Sequence, residues 1–596
     1  MSMICCGTKD SRVPFYRLNH TPPWLLSLFF AIQHLLVQAS LLCTCHSLLL
    51  QSRPLAPQDP NRLLASSLFA CGIATLLQTC LGTRLPLVQA PTFELLIPAL
   101  VLSRRPDGNE ASRNVTQDSL FCRGNSCEEL QSVIQPVMEV SGALVVSGGL
   151  QVLFGVTGAC GWILQRCGPM VLAPTISIIG LSSYKPVALY CSSNWIISLL
   201  LVLLSAFLSQ TLRSWYLPTC TWERETGIRK RFVPIFRMLS LFIPITCILI
   251  GTAVLERAPN LFPLTIRLGP NSSVPVPSGA QSSPAVFGKG ITRTDQWFQF
   301  PLMGSWGWPE FSLLTLSVGI AMALTSTVCS MGCYVLCARI LHCPAVPYHA
   351  SNRGICMEGV GNILSGILGT VCGAGSSIPN TGMAALTQVG SRHSAQFSAL
   401  LFLVFGCSPK LCQFLTMIPF SVHGGIFCLT FSVAVGAGVS FFQYVDVDSG
   451  RNVFIVGVTM FMALLVPRKM DEVPGQIDTG WDSFDLFLLS VLTVPTFLGG
   501  IFSFILENTV SGTLQERGLH SGISLWIPPP GEDTPKAHQE DLAKYYGLPP
   551  GIIRLLPLVY PFTQLIPPAP ANTREHAAGE GDNLLTGPAG KDVERG

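Results

Sequence analysis

The chain is 596 residues long; 49% are apolar, only 12% carry a charge, the net charge is +3 and the mean hydropathy is +0.48. Soluble domains carry roughly 25% charged residues, so this surface is built for lipid rather than water. With no basic tract interleaved with aromatics the composition gives no nucleic-acid partner, and with no Walker A loop, zinc-protease helix or nucleophile elbow in a fitting context it gives no enzyme. The 22 cysteines fall mostly inside apolar runs, where they act as small buried hydrophobes, and neither a resident metal nor a cofactor is expected.

Thr8, Lys9, Asp10, Ser11 and Arg12 precede a first apolar run, from about Trp24, that is too long for a cleavable signal. A helix of about 20 apolar residues crosses a bilayer. In chain order the expected spans are 24–44, 62–82, 85–103, 138–158, 168–185, 194–212, 236–256, 311–340, 354–372, 379–390, 395–416, 424–440, 452–467 and 484–506, fourteen in all. Those at 85–103, 168–185, 354–372, 379–390 and 424–440 are weak or interrupted.

Two of the interrupted spans carry most of the information. Segment 85–103 opens with Leu85-Pro86-Leu87 and holds Gln89, Pro91, Thr92 and Glu94, while segment 379–390 follows the stretch Cys372-Gly373-Ala374-Gly375-Ser376-Ser377 and begins Pro379-Asn380. Both read as half-helices entered through extended backbone, which membranes tolerate only where it is buried in protein or lines a cavity. Short, Gly/Pro-broken spans at matching places in two halves point to a transporter's solute site. As the third and tenth spans they lie seven apart, which predicts two inverted seven-span repeats. Half-helix N-termini here offer free N–H groups and positive dipole ends to an acceptor-rich or anionic ring. Asn380 is equally a helix-capping residue by type. Glu94 in an apolar half-helix either snorkels outward or meets Arg84.

Orientation follows from the loops. Arg213, Arg224, Arg229, Lys230 and Arg231 crowd loop 213–235, with Arg353 and Arg392 on the same side, whereas the sequons at Asn114 and Asn271 lie in the long loops 104–137 and 257–309. Positive loops inside and glycosylation outside agree with both termini being cytoplasmic in a plasma-membrane protein. Cys122 and Cys127 are a close pair in the first outer loop and a candidate disulfide. From about 508 the chain turns polar and Pro/Gly-rich, which reads as a mobile cytoplasmic tail.

Pro379-Asn380-Thr381-Gly382 with Thr387 and Arg392 beyond it, the pair Gln33-His34, and Gln78-Thr79 through Gly82, Arg84-Leu85-Pro86-Leu87 and Gln89-Ala90 resemble the nucleobase–ascorbate transporter family. The Pro-Asn form is similar to its sodium-dependent vitamin C branch within solute carrier family 23. Asn352-Arg353-Gly354-Ile355, Glu358-Gly359, Ser449-Gly450-Arg451-Asn452 and Glu516-Arg517-Gly518-Leu519 fit the same pattern. The resemblance implies an all-α polytopic fold of fourteen spans. After a cytoplasmic N-terminus at 1–21, a core domain would comprise 22–158 and 310–420, and a gate domain 159–256 and 421–507. The loop 257–309 would lie outside and the tail 508–596 inside. It also implies an elevator-like slide of core against gate, a homodimer in lipid, and a solute held between the two half-helices and the eighth span. The residues so marked are Gln89, Cys329, Ser330, Ser376, Ser377, Asn380 and Thr387, with Gln33, His34, Pro379 and Gly382 in support and Cys333 at the ion-coupling position.

The eighth span departs from the family. Relatives in the vitamin C branch read Glu-Ser-Ile-Gly-Asp-Tyr where this chain has Cys329-Ser330-Met331-Gly332-Cys333-Tyr334. A thiol is a weak donor and acceptor without charge, and sodium prefers oxygen, so coupling to sodium, the candidate coupling ion, is expected to be weakened or altered. Cys329, Cys333 and Cys337 share one helix face and could hold a soft metal; small packing residues are the plainer reading. Gln388 stands where vitamin C members have Lys. A charge-poor pocket suits a neutral purine nucleobase such as hypoxanthine better than ascorbate, and loss of both acids also admits a transport-inactive regulatory protein.

Overall fold

The computed structural model describes residues 15–52, 60–104, 125–223, 227–257, 297–473, 475, 477–513, 515–518, 542–549 and 562–565. Within these the apolar runs are helices. The first half contains α1 (Trp24–Ser52), α2 (Pro60–Cys80), β1 (Gln89–Ala90), α3 (Phe93–Ser103), α4 (Asn125–Thr157), α5 (Ala159–Arg166), α6 (Pro169–Ser182), α7 (Tyr184–Cys191), α8 (Trp195–Ala206), the hairpin β2 (Leu217–Glu223) and β3 (Gly227–Val233), α9 (Ile235–Met238) and α10 (Phe242–Arg257). The second contains α11 (Leu313–Ile340), α12 (Tyr348–Ile367), β4 (Gly375–Ser376), α13 (Ile378–Thr387), α14 (Arg392–Gly406), α15 (Pro409–Thr416), α16 (Phe420–Val439), α17 (Gly450–Glu472), α18 (Asp482–Leu492) and α19 (Pro495–Thr509).

Among the described residues, six helices are long and apolar enough to cross a bilayer, or up to nine if each sharply bent pair is one span. The chain is therefore a multi-pass membrane protein. The bends differ from the sequence expectation of straight rods. Segment 395–416 turns by 107° between α14 and α15, and 484–506 by 81° between α18 and α19. Pro409 and Pro495 open the second helix of each pair; proline suits a first turn but lacks the N–H to continue a helix through it. Loop 213–235, marked in the sequence only by its charge, contains the paired strands β2 and β3.

Small residues let the helices approach closely. A Cβ on Gly148 of α4 would lie 2.5 Å from the Gly359 carbonyl of α12, and one on Gly359 would lie 2.5 Å from the Gly148 carbonyl. Such backbone contact is how helices associate where lipid gives no hydrophobic drive.

The tail is less free than its composition suggests. Arg353 donates to the carbonyls of Gly82 (2.9 Å), Tyr546 (2.7 Å) and Leu565 (3.2 Å), and Arg392 to those of Arg84 (2.6 Å) and Tyr545 (2.9 Å). Tyr546 is buried and its hydroxyl donates to the Pro344 carbonyl. Two basic side chains thus pin segments 542–549 and 562–565 against α12 and the start of α14, so these segments are docked rather than mobile. Nearer α19, Ser449 donates to Glu516 (2.7 Å) and Arg451 pairs with Glu507 (2.8 Å), which joins the Ser449–Asn452 stretch to the Glu516-Arg517 stretch. Asn114, Asn271, Cys122 and Cys127 lie outside the described residues.

Candidate functional site

Proline and glycine decide where the two half-helices start. Ala90 precedes Pro91, and a residue before proline is pushed to extended backbone; α3 begins only after it, with Thr92 extended at its N-cap. On the other side Gly373-Ala374-Gly375 leads into β4, and Ser377 caps α13 by accepting from the Asn380 N–H, with Pro379 in the first turn. The extended stretches that lead into α3 and α13 meet. β1 and β4 pair antiparallel, with Gln89 opposite Ser376 and Ala90 opposite Gly375. Both N-termini, of α3 and of α13, therefore issue from one short two-stranded ribbon.

Backbone leaving regular structure inside a membrane protein must find partners. The Gln89 N–H donates to Thr75 Oγ1 (2.9 Å), the Ala374 N–H to Asn362 Oδ1 (2.7 Å) and the Ser377 N–H to the Val88 carbonyl (3.0 Å). α2 and α12 thus supply the side chains that hold the ribbon.

Residues directly opposite in such a pair share a face. Gln89 Nε2 donates to Ser376 Oγ (3.0 Å) and, at 3.4 Å, to Glu358 Oε1 of α12. The same Glu358 oxygen accepts from Ser376 Oγ (2.5 Å) and from the Tyr334 hydroxyl of α11 (2.8 Å). Ser330, one turn before Tyr334, lies beside this carboxylate. Glu358 is 1% exposed, yet among the described residues its other oxygen, Oε2, has no partner at hydrogen-bonding geometry, and neither has Gln89 Oε1. Leaving such an acceptor unsatisfied costs about 1–3 kcal/mol, so two acceptors at one ribbon form a place where a donor-bearing molecule would bind.

The other sequence-marked residues divide. Asn380 is not the cap; its side chain donates to Ser377 Oγ (2.9 Å) and its Oδ1 meets His34 Nδ1 (2.9 Å), so both its ends are engaged. Gln33 donates to the Met238 carbonyl (3.1 Å) and accepts from the Phe242 N–H (3.3 Å), which fixes α1 to the start of α10. Gly382 faces α16, where a Cβ would lie 2.4 Å from the Thr430 carbonyl. Cys333 Sγ lies 3.4 Å from Thr381 Oγ1, and Cys329 lies against Glu94.

Thr387 does not join the ribbon. It donates to the Met383 carbonyl (2.9 Å) at the far end of α13. Gln388 is at that end too, in the left-handed conformation that closes α13, donating to the Ala385 carbonyl. Ten residues of helix at 1.5 Å each place it roughly 15 Å from the ribbon, so its lack of charge says little about the charge of a solute there. Glu94 neither snorkels nor meets Arg84; it is 4% exposed and accepts from Thr496 Oγ1 of α19 (2.9 Å). In the sequence Glu358 belongs to a motif but not to the expected solute set. A lone acid in an otherwise apolar run that continues into a span is the signal that could have found it.

A family model described as the permease family matches residues 26–472. Solute carrier family 23 member 3 of Mus musculus is 40% identical over 95% of this chain and 88% of its own length. Solute carrier family 23 member 1 of Rattus norvegicus is 33% identical over 86% of this chain and 84% of its own length. Nucleobase-ascorbate transporter 3 of Arabidopsis thaliana is 24% identical over 91% of both chains. The transmembrane domain of the cyanobacterial bicarbonate transporter BicA is similar at a TM-score of 0.39 and 13% identity, over 76% of this chain and 97% of that one, a likeness too weak to reason from.

Proposed function

The chain belongs to the permease family, among its nucleobase–ascorbate transporters, and from that premise we propose that it carries a neutral, donor-bearing heterocycle, with a purine nucleobase such as hypoxanthine as the representative solute. The observation that carries this reading is the pair of buried acceptors without partners, Glu358 Oε2 and Gln89 Oε1. A neutral ring presenting N–H groups satisfies both. An anion such as ascorbate would instead approach a buried carboxylate with no basic side chain paired to it among the described residues, which is unfavourable in a low-dielectric site.

In this reading the protein has fourteen spans in two inverted repeats, with both termini in the cytoplasm of a plasma-membrane homodimer. The core (22–158 and 310–420) carries the solute past the gate (159–256 and 421–507) in an elevator motion. Gln89, Ser330, Ser376 and Glu358 receive the solute, while Ser377, Asn380 and His34 hold α13 in place. Cys333 offers sodium no oxygen where a carboxylate would offer two, leaving only the hydroxyl of Thr381 beside it, so transport depends little on sodium.

The test is uptake of radiolabelled hypoxanthine, urate and ascorbate by cells expressing the full chain, with sodium present and replaced. Hypoxanthine uptake above mock cells that survives sodium replacement is expected. Uptake of ascorbate alone would overturn the solute, uptake that vanishes without sodium would overturn the coupling, and no flux of any of the three would favour a regulatory membrane protein.

A further inference from the structure

Glu94 has no part in the Gln89–Glu358 network, yet it is a second buried carboxylate. It occupies the first turn of α3 and, on the proposed domain division, sits at the seam between core and gate. Its Oε1 accepts from Thr496 Oγ1 of α19 (2.9 Å), the Cys329 thiol of α11 lies against the carboxylate, and Thr325 of α11 donates to its carbonyl (3.0 Å). Thr92, the N-cap residue of α3, lies beside it, and Cys333 and Glu358 lie farther along the same side of the seam. None of these neighbours is basic, so the carboxylate is held by its own backbone N–H and by hydroxyl and thiol donors, with no cation beside it. Carboxylates within a membrane protein are costly and commonly functional.

The space above this contact gives it a role. A crevice of about 570 Å³ runs between α3, α7, α17 and the α18–α19 junction, lined among others by Phe93, Leu100, Tyr184, Leu464, Thr493 and Pro495. Phe93 and Pro495 are the chain neighbours of Glu94 and Thr496. The crevice therefore reaches the residues next to the Glu94–Thr496 hydrogen bond, which on the proposed division crosses the seam. On the other side of that bond are Cys329 and, past it on the same helix, Ser330 beside Glu358.

We propose that Glu94 and Thr496 form a hydrogen-bonded barrier between this crevice and the solute site, and that Glu94 determines specificity there. A solute passes by giving the carboxylate a donor in place of the Thr496 hydroxyl, and an anion is turned away by the charge. The solute class, and the identity of the far side as a solute site, rest on the transporter reading above; the closure of the crevice at the Glu94–Thr496 contact does not. A purely structural role also exists for Glu94, because the Thr92 side chain makes no cap bond and an acid in the first turn of a helix stabilises it. Glu94→Gln keeps an acceptor for Thr496 and for the helix end while removing the charge.

Two measurements test this. In Glu94→Gln, the ratio of urate to hypoxanthine uptake is expected to rise about tenfold, through a fall in KM for urate; an unchanged ratio would overturn the specificity role. In Thr496→Ala, labelling of Cys329 by a small water-soluble methanethiosulfonate added from the crevice side, read by peptide mass spectrometry, is expected to rise several-fold over the unmutated chain. Equal labelling in the two would overturn the barrier. The labelling needs no transport, so a chain that moves no solute but shows the increase would retain the barrier and lose the transporter reading.

Discussion

Among the described residues one oxygen of Glu358 takes three donors and the other takes none at hydrogen-bonding geometry. This asymmetry is the strongest local reason to place a ligand at the ribbon, because the protein already holds the carboxylate in position and leaves half its capacity unused. Glu358→Gln places an amide where donors already converge or where the vacant acceptor was. Losing a hydrogen bond to a charged acceptor costs about 1.5–3 kcal/mol, or about ten- to a hundredfold in affinity. The KM for hypoxanthine is therefore expected to rise by that factor at equal surface expression, and an unchanged KM would remove Glu358 from the site. Cys329 and Cys333 bear on the same point. From sequence alone, they suggest that the site has lost its acids, yet Glu94 reaches Cys329 from another element and Glu358 stands one helix away. A gap at one position is legible in sequence; a carboxylate supplied from a different helix is not, since nothing in the spacing relates residues 94 and 329.

Proline and glycine made the half-helices legible as elements. Pro86 and Pro91 before α3, and Gly373, Gly375 and Pro379 around α13, are local signals, and local signals survive without knowledge of packing. The bends at Pro409 and Pro495 carried the same signal but lie inside runs apolar enough to read as single rods. The role of Gly382 needed the structure, because the close approach is made by the Thr430 carbonyl of α16, forty-eight residues away. If α13 slides past α16 during transport, a side chain at 382 would obstruct the motion. Overpacking of this kind costs about 1–3 kcal/mol. Gly382→Val is expected to slow uptake and lower the melting temperature in detergent. Gly457→Ala on α17, where a Cβ meets nothing within 4 Å, is expected to leave both unchanged or raise stability by about 0.5–1 kcal/mol. Uptake and melting of Gly382→Val that match the unmutated chain would contradict the close-contact argument.

At the scale of the whole molecule, low charge and repeated apolar runs were enough to identify a multi-pass membrane protein. The docking of segments 542–549 and 562–565 was not legible, because it rests on Arg353 and Arg392 bonding to backbone carbonyls, which any sequence supplies. Transport of the kind proposed requires a solute lying where β1 meets β4. A cryo-EM map of the full chain with hypoxanthine tests that most directly. Density for the purine within hydrogen-bonding distance of Glu358 Oε2 and Gln89 Oε1 is predicted; density elsewhere, with both acceptors still unpartnered, would contradict it.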